Sequence, residues 1–236
     1  MLKPRITAII NDFFAIGGNH DLEKYQLIRN KLLNVLREEE FLLDEGEDEN
    51  VMLIRDGIRL IDASSLYAEE TNPRRAYKRM KPFFTHLENE SRWHYYNLHI
   101  LVSSIYLTET VEQAVKFAKS AQGYINVFKR TKNTYSLEAA LAVNLCARIL
   151  NAKFFESDTK ISLVTEFQKW LEKLEALTES NHDLAMPLLV TEIRQALLIE
   201  NDTNIKELCT ELEARYDKKI SALIKNEIEF YQNQRK

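Results

Sequence analysis

Three polar residues interrupt the otherwise apolar segment LEAALAVNLCARILNAKFF, and they stand at the spacing of a single helical stripe. Asn144, Arg148 and Asn151 occupy positions i, i+4 and i+7, which share one face of an α-helix. Solvent-facing helix positions usually carry Glu or Lys, because both have a higher helix propensity than Asn. A side-chain amide donates and accepts hydrogen bonds, so it can pair with the backbone of an extended peptide. The stripe therefore indicates either a peptide-binding face or a plain solvent-exposed face.

Further polar residues extend this hypothesis to neighbouring segments. Asn97 and Ser104 are seven positions apart in SRWHYYNLHILVSSIYL, and Arg194 with Gln195 interrupts a later apolar pattern. A guanidinium can hold a carboxylate through two hydrogen bonds, so Arg148 or Arg194 could bind an acidic group of a peptide. The predicted ligand-binding residues are Asn97, Asn144, Arg148, Asn151 and Arg194.

The remaining reactive residue types do not form a catalytic or metal-binding motif. The five histidines include no H-x-x-x-H pair, and the two cysteines do not form C-x-x-C, so no zinc site is indicated. There is no G-x-S-x-G and no glycine-rich phosphate loop. We therefore expect no catalytic residue, no metal and no cofactor. An enzyme would instead need titratable groups such as His94, Tyr95 or Glu192 to converge in one pocket.

The elements that position these residues are helices. The 236 residues include only five glycines and four prolines, where average usage of about 12% would give roughly 28. Turns and strand boundaries depend on these two residue types, so a chain poor in both has few turns and long elements. Apolar residues also recur at i, i+3, i+4 and i+7 over nearly the whole length. The sequence therefore predicts an all-α protein with about ten helices.

Capping residues and breakers give approximate helix limits. Pro82 should kink or end the fourth helix, and Asn204 with Glu207 should cap a last helix about 40 Å long. Thr110 and Gln113 form a capping pair for the sixth helix. The predicted helices run over about 2–16, 22–43, 51–67, 91–107, 111–128, 137–155, 160–177 and 205–231, with a fourth helix that begins at 73 and a ninth that begins near 183.

The short connections predict antiparallel packing of sequential helices. The last six helices then form three hairpins that recur about every 45 residues, within the range of helical repeats. Small residues at Ala114, Ala118 and Ala121 would let two helices approach closely. This pattern favours hairpins stacked as TPR-like or HEAT-like repeats, although a plain bundle uses alanine in the same way. We predict an N-terminal helical segment over 1–71 and a repeat domain over 72–236, or one continuous domain.

Charge and composition exclude several classes of partner. The formal net charge of −4 and the isoelectric point near 5.8 argue against binding of nucleic acid or of an anionic membrane surface. No apolar run approaches the roughly 20 residues of a membrane span. Asn11 and Asp12 interrupt the first apolar stretch, so no signal peptide is expected. Cys146 and Cys209 lie in apolar helical patterns, which indicates reduced thiols in a cytoplasmic protein.

The segment SRWHYYNLHILVSSIYL, followed by a helix and then by LAVNLCARILNAKFF, resembles the helical-repeat domain of Rgg-type regulators. These regulators belong to a peptide-sensing group of Gram-positive bacteria that includes PlcR-like and Rap-like proteins. The residues that carry the resemblance are Trp93, Tyr95, Tyr96, Leu98 and the helix of Asn144.

This resemblance implies a right-handed superhelix that binds a short signalling peptide on its concave face. Mid-helix asparagines commonly contact the peptide backbone in that group, which assigns this role to Asn144 and, less directly, to Asn97. The helix-turn-helix domain with which those regulators begin is not evident here. The second predicted helix carries Glu38–Glu40 near its end, and acidic side chains suit DNA phosphates poorly, so we expect no DNA binding by this chain.

The last predicted helix carries an apolar stripe that comprises Ile205, Leu208, Leu212, Ile220, Leu223, Ile224 and Ile228. This stripe, and the resemblance, predict a homodimer through the C-terminal helices. The sequence as a whole predicts a cytoplasmic regulatory module that recognises a short peptide or protein segment on a concave helical surface. The alternative is a structural or scaffold protein that mediates protein–protein interaction or homodimerisation without a small ligand.

Overall fold

The computed structural model describes residues 8–9, 22–42, 49–69 and 74–235. Within these ranges the chain is helical and contains no strand, and it forms ten α-helices with two short 3-10 turns. These observations confirm the predicted all-α class and the number of helices. Of the predicted first helix, over residues 2–16, only Ala8 and Ile9 are described, and both are helical.

The chain divides into two compact units, Met1–Glu109 and Thr110–Lys236. The helices of the first unit are α1 (Leu22–Leu42), α2 (Glu49–Glu69), α3 (Arg74–Asn89) and α4 (Tyr95–Ser104), and a 3-10 turn follows over Ile105–Leu107. The helices of the second unit are α5 (Val111–Phe128), α6 (Tyr135–Phe155), α7 (Leu163–Ser180), α8 (Ala185–Leu198), α9 (Asp202–Arg215) and α10 (Lys218–Gln234). A 3-10 turn over His182–Leu184 joins α7 to α8. The domain limit predicted at residues 71 and 72 lies between α2 and α3, within the first unit.

In the first unit, α2 packs against α1, α3 and α4. Its apolar face is fully buried at Ile54, Leu60 and Ile61. The same helix carries Asp62, which forms ion pairs with Arg29 of α1 and with Arg79 of α3. One carboxylate on α2 therefore links three helices at the edge of an apolar core.

Of the two predicted effects of Pro82, a kink or an end of the helix, the end is wrong, because α3 continues past Pro82 to Asn89. A proline inside a helix removes one hydrogen bond and costs about 3 kcal/mol. Phe83, Phe84 and Leu87, which follow it, are each at most 2% exposed. Burial of each such side chain contributes about 1.5–3 kcal/mol, so their packing outweighs the cost of the proline.

In the second unit, α6 is the central helix and packs against α5, α7 and α8. The three alanines predicted to allow close approach, Ala114, Ala118 and Ala121 of α5, are fully buried. The predicted hairpins of α6 with α7 and of α8 with α9 pack as neighbours. The predicted hairpin of 91–107 with α5 has its two helices in different compact units.

The predicted single helix over 205–231 is wrong, because two helices, α9 and α10, occupy this region. Tyr216 has extended backbone angles, and the Oδ1 atom of Asp217 accepts a hydrogen bond from the Lys219 N–H at 2.6 Å, which caps α10. The predicted cap of α9 at Asn204 is also wrong. Asn201 is the N-cap, and its Oδ1 atom accepts the Asn204 N–H at 3.1 Å.

Across the described ranges, no helix combines the length and the apolar character that crossing a membrane requires.

Candidate functional site

The half-buried face of α6 carries no charged side chain over more than three turns. Between residues 140 and 151 the half-buried residues are Ala140, Val143, Asn144, Ala147 and Asn151. Their spacing of i, i+3, i+4, i+7 and i+11 places them on one face of the helix; we call it the α6 face. A side-chain amide carries both hydrogen-bond donors and an acceptor, and this face has two of them beside alanine and valine side chains. The structure therefore places two of the five predicted binding residues together.

Arg148 does not share the α6 face, because it is buried and only 3% exposed. Its Nη2 atom forms an ion pair with Oε1 of Glu156, the residue that ends α6. The Oε2 atom of Glu156 accepts the N–H of Val111, the first residue of α5, at 3.1 Å. The Arg148 guanidinium is thus engaged by a carboxylate of its own chain.

Arg194 shows the bidentate chemistry that the sequence predicts for it, again with an internal carboxylate. Its Nε and Nη2 atoms donate to the two carboxylate oxygens of Glu227 on α10, at 2.8 and 3.0 Å. Burial disfavours the charged guanidinium, but the Glu227 charge outweighs this effect and raises the pKa of Arg194. The contact therefore joins α8 to α10.

Asn97 lies in the first unit and serves the start of α4. Its Oδ1 atom accepts the backbone N–H of His94 at 2.9 Å, as part of a capping box. A capping box satisfies backbone donors that the first turn of a helix leaves unpaired. This contact gives Asn97 a local structural role.

The aromatic segment around α4 contains a histidine with a perturbed pKa. The rings of Tyr95 and His99 lie 4.7 Å apart between centroids in an edge-to-face arrangement. Burial lowers the pKa of His99 to about 4, so its imidazole is neutral near pH 7. Burial also raises the pKa of the Tyr95 hydroxyl.

The second unit holds an acidic residue with a shifted pKa. Burial, followed by the charges of Glu175 and Glu211, raises the pKa of Glu192 on α8. In the described part of the chain, no three His, Cys, Asp or Glu side chains are arranged so that they could hold a metal ion.

Sequence reasoning missed a depression on the second unit with a volume of about 430 Å³. Its lining residues come from α5 and α7 and comprise Lys119, Glu166, Lys169, Trp170, Glu172, Lys173 and Ala176. Within α7, the charged residues follow a helical spacing that is also typical of a solvated face. The feature that distinguishes this depression from a solvated face is the burial of Glu166, which is 6% exposed. No local sequence pattern indicates that burial.

Comparisons of this chain with protein-family models, with curated proteins and with solved structures gave no match.

Proposed function

We propose that this chain is a cytoplasmic regulatory binding module that recognises a short peptide or protein segment on the α6 face. The observation that supports this proposal most directly is the absence of charged side chains on this half-buried face from Ala140 to Asn151. An extended segment brings its own unpaired backbone N–H and C=O groups, which cost free energy if they are buried without partners. Asn144 and Asn151 can satisfy groups of both kinds. The resemblance to the repeat domain of Rgg-type regulators is consistent with the same role.

The two arginines are not assigned to the ligand in this proposal. Arg148 and Arg194 are each engaged by a carboxylate of the same chain. Displacement of either carboxylate would leave the charge of Arg148, which is buried, or of Arg194, whose side chain is 16% exposed, without this partner; for a buried charge this typically costs about 3–5 kcal/mol. A peptide that used either arginine would have to supply at least that much.

We also propose a homodimer, but through a surface that differs from the predicted apolar stripe. Of the predicted stripe, Ile205, Leu212 and Ile228 are buried within their own chain. Leu223 and Phe230 of α10 are 62% and 38% exposed, and Phe230 stacks on the exposed Phe155 with ring centroids 5.9 Å apart. Exposed apolar patches of this kind often mark protein interfaces. The same patch would also serve the alternative function, a scaffold without a small ligand.

A peptide-display selection tests the proposal. Peptides enriched on the wild-type protein would be synthesised, and their affinities measured by fluorescence anisotropy for the wild type, Asn144→Ala and Asn151→Ala. Loss of a buried amide partner costs about 1–3 kcal/mol, so we expect a loss of affinity of about 5–100-fold. Asn226→Ala, at an exposed position of α10, is the matched control and should leave affinity unchanged. A selection without enrichment, or peptides that bind Asn144→Ala as tightly as the wild type, would overturn the proposal.

A further inference from the structure

The junction between α9 and α10 consists of two residues and contains no helix breaker. α9 ends at Arg215 and α10 begins at Lys218, and Tyr216 and Asp217 between them have extended backbone angles. Residues 202–234 include neither glycine nor proline, the two residue types least favourable inside a helix. Asp217 caps α10, but aspartate is also tolerated within helices at a small cost. The local sequence therefore accommodates a straightened junction as well as the observed break.

The apolar side chains of this region form a stripe that continues across the junction. Its members recur every three or four residues and comprise Ile205, Leu208, Leu212, Tyr216, Ile220 and Leu223. This spacing keeps them on one face of a helix when the junction is straightened. A helix with such a face must bury it against another element. Opening of the junction therefore produces an amphipathic segment that needs a second surface to cover it.

Contacts near the end of α10, far from the junction, set the surface on which this helix packs. Glu227 forms its ion pair with Arg194 of α8, and the two side chains are 25% and 16% exposed. The Nη1 atom of Arg235 donates to Asp202 Oδ1 at 2.8 Å, and its Nη2 atom donates to the carbonyl oxygen of Leu197 at 3.1 Å. The same contacts can form whether α10 comes from the same copy of the chain or from another copy.

α10 also buries fewer side chains than the central helix of its unit. Of its 17 residues, Ser221, Ile228 and Tyr231 are buried, whereas α6 buries apolar side chains along its whole length. Elements with little buried apolar area open at a lower free energy than the rest of a fold. α10 can therefore leave its position while the core around α6 stays folded.

We propose that two copies of this chain exchange α10. In the exchanged dimer the junction at Tyr216 and Asp217 is straightened, and Glu227 of each copy pairs with Arg194 of the other. Exchange of an identical element costs little, because its contacts are kept and only the copy that supplies them changes. Short hinge segments favour such exchange. The exchange rests on the homodimer proposed above and adds a shared helix to it, but it does not depend on peptide binding by the α6 face.

Carbodiimide crosslinking of isotopically mixed wild-type protein tests the exchange. Unlabelled and ¹⁵N-labelled chains are refolded together from urea and concentrated, and the reagent then joins ion-paired carboxylates and amines as amides. Lys225 of α10 pairs with Glu213 of α9, and the two side chains are 53% and 47% exposed. In an exchanged dimer this pair lies between copies, so about half of its crosslinked peptides should contain both isotopes. The pair of Lys153 and Glu200 is the matched control, because it does not involve α10 and should give single-isotope crosslinks.

Two charge-reversal variants give a second test. Arg194→Glu alone and Glu227→Arg alone each place like charges at the contact of α8 with α10. In an exchanged heterodimer of the two variants, opposite charges meet at both contacts. Native mass spectrometry should therefore show about tenfold more heterodimer than either homodimer, because like charges are strongly disfavoured at an interface. Glu211→Arg mixed with Arg215→Glu is the matched control and should show no such preference, because these two residues pair within α9.

The outcomes separate the exchange from the homodimer itself. A wild type that dimerises but gives single-isotope crosslinks between Lys225 and Glu213 would overturn the exchange and leave a dimer through the exposed patch of α10. A wild type that stays monomeric when concentrated would overturn both. Folded charge-reversal variants without a preference for the heterodimer would also contradict the exchange. The isotope comparison uses the wild type, so it decides the matter even if a charge-reversal variant does not fold.

Discussion

Arg148 of α6 and Glu156, the residue that ends the same helix, form an ion pair in which the arginine side chain is 4% exposed. The second carboxylate oxygen of Glu156 accepts the N–H of Val111 at the start of α5. A carboxylate at a helix N-terminus also interacts favourably with the helix dipole. One glutamate therefore neutralises a buried arginine and joins the end of α6 to the beginning of α5.

Glu156→Ala should destabilise the protein strongly, because it leaves the Arg148 charge buried without this partner. We expect the free energy of unfolding to fall by about 3 kcal/mol, at the lower end of the range for such changes, since Glu156 is partly exposed. Urea denaturation would measure it. Glu211→Ala is the control, because Glu211 pairs with Arg215 on the exposed surface of α9, where a loss below about 1 kcal/mol is expected. Equal effects of the two changes would contradict this role for Glu156.

Two asparagines at the start of α9, three residues apart, should contribute differently to stability. Asn201→Ala removes the side-chain acceptor that caps the helix and should lower the free energy of unfolding by about 1 kcal/mol. Asn204→Ala removes a side chain that lies past the cap, so its effect should be within about 0.5 kcal/mol. Thermal and urea unfolding of both variants would measure the difference. A larger loss for Asn204→Ala would restore the cap predicted from the sequence.

His99 should make stability depend on pH in the mildly acidic range. Its pKa is lowered to about 4 in the folded protein, from 6.5 in the absence of burial. Below about pH 6.5 the unfolded chain takes up a proton that the folded protein does not, so stability is lost as pH falls from about 6.5 to about 4. Relative to His99→Gln, which cannot titrate, the wild type should lose about 2 kcal/mol between about pH 7.5 and pH 5.

Urea denaturation at the two pH values measures this difference. His182→Gln, at an exposed position, is the control variant and should follow the wild type over the same range. A constant difference between wild type and His99→Gln would show that His99 titrates normally in the folded state.

The two thiols should differ in reactivity. Both cysteines are free, and Cys146 is fully buried whereas Cys209 is half-buried. Burial raises the pKa of Cys146 to about 12, and the thiolate is the reactive form. A thiol reagent at about pH 8 should therefore label Cys209 in the native protein, and Cys146 only on unfolding. Cys209→Ser would isolate the second reaction, and rapid labelling of this variant without denaturant would contradict the prediction.

Much of the fold could be predicted from local features of the sequence. The all-α class depended on apolar spacing and on the scarcity of glycine and proline, and both act within a few residues. The Thr110 cap of α5 was predicted for the same reason, and its hydroxyl oxygen accepts the Gln113 N–H at 3.2 Å. The predictions failed where a local signal competed with another effect. At Pro82, burial of the neighbouring side chains outweighs the free-energy cost of the proline. In the C-terminal region, the continuous apolar stripe led to the prediction of one helix, although Asp217 caps a second one.

The candidate sites were less accessible to sequence reasoning. Polar residues in an apolar helix were recognisable, and Asn144 and Asn151 do share the α6 face. Whether a polar residue on a helix faces a ligand or an internal partner depends on which other helices pack beside it. The sequence therefore could not separate these asparagines from Arg148, which stands on the same predicted stripe.

The sequence by itself determined that this protein is built from helices and, in most cases, where those helices begin and end. The physical reason is that helical hydrogen bonds and caps join residues only a few positions apart. Tertiary structure decided which charges are neutralised, as for Arg194 and Glu227, which lie 33 positions apart on α8 and α10. It also brought Lys119 of α5 to the buried Glu166 of α7. Such pairs depend on packing of whole helices, because burial and long-range proximity are properties of the assembled core.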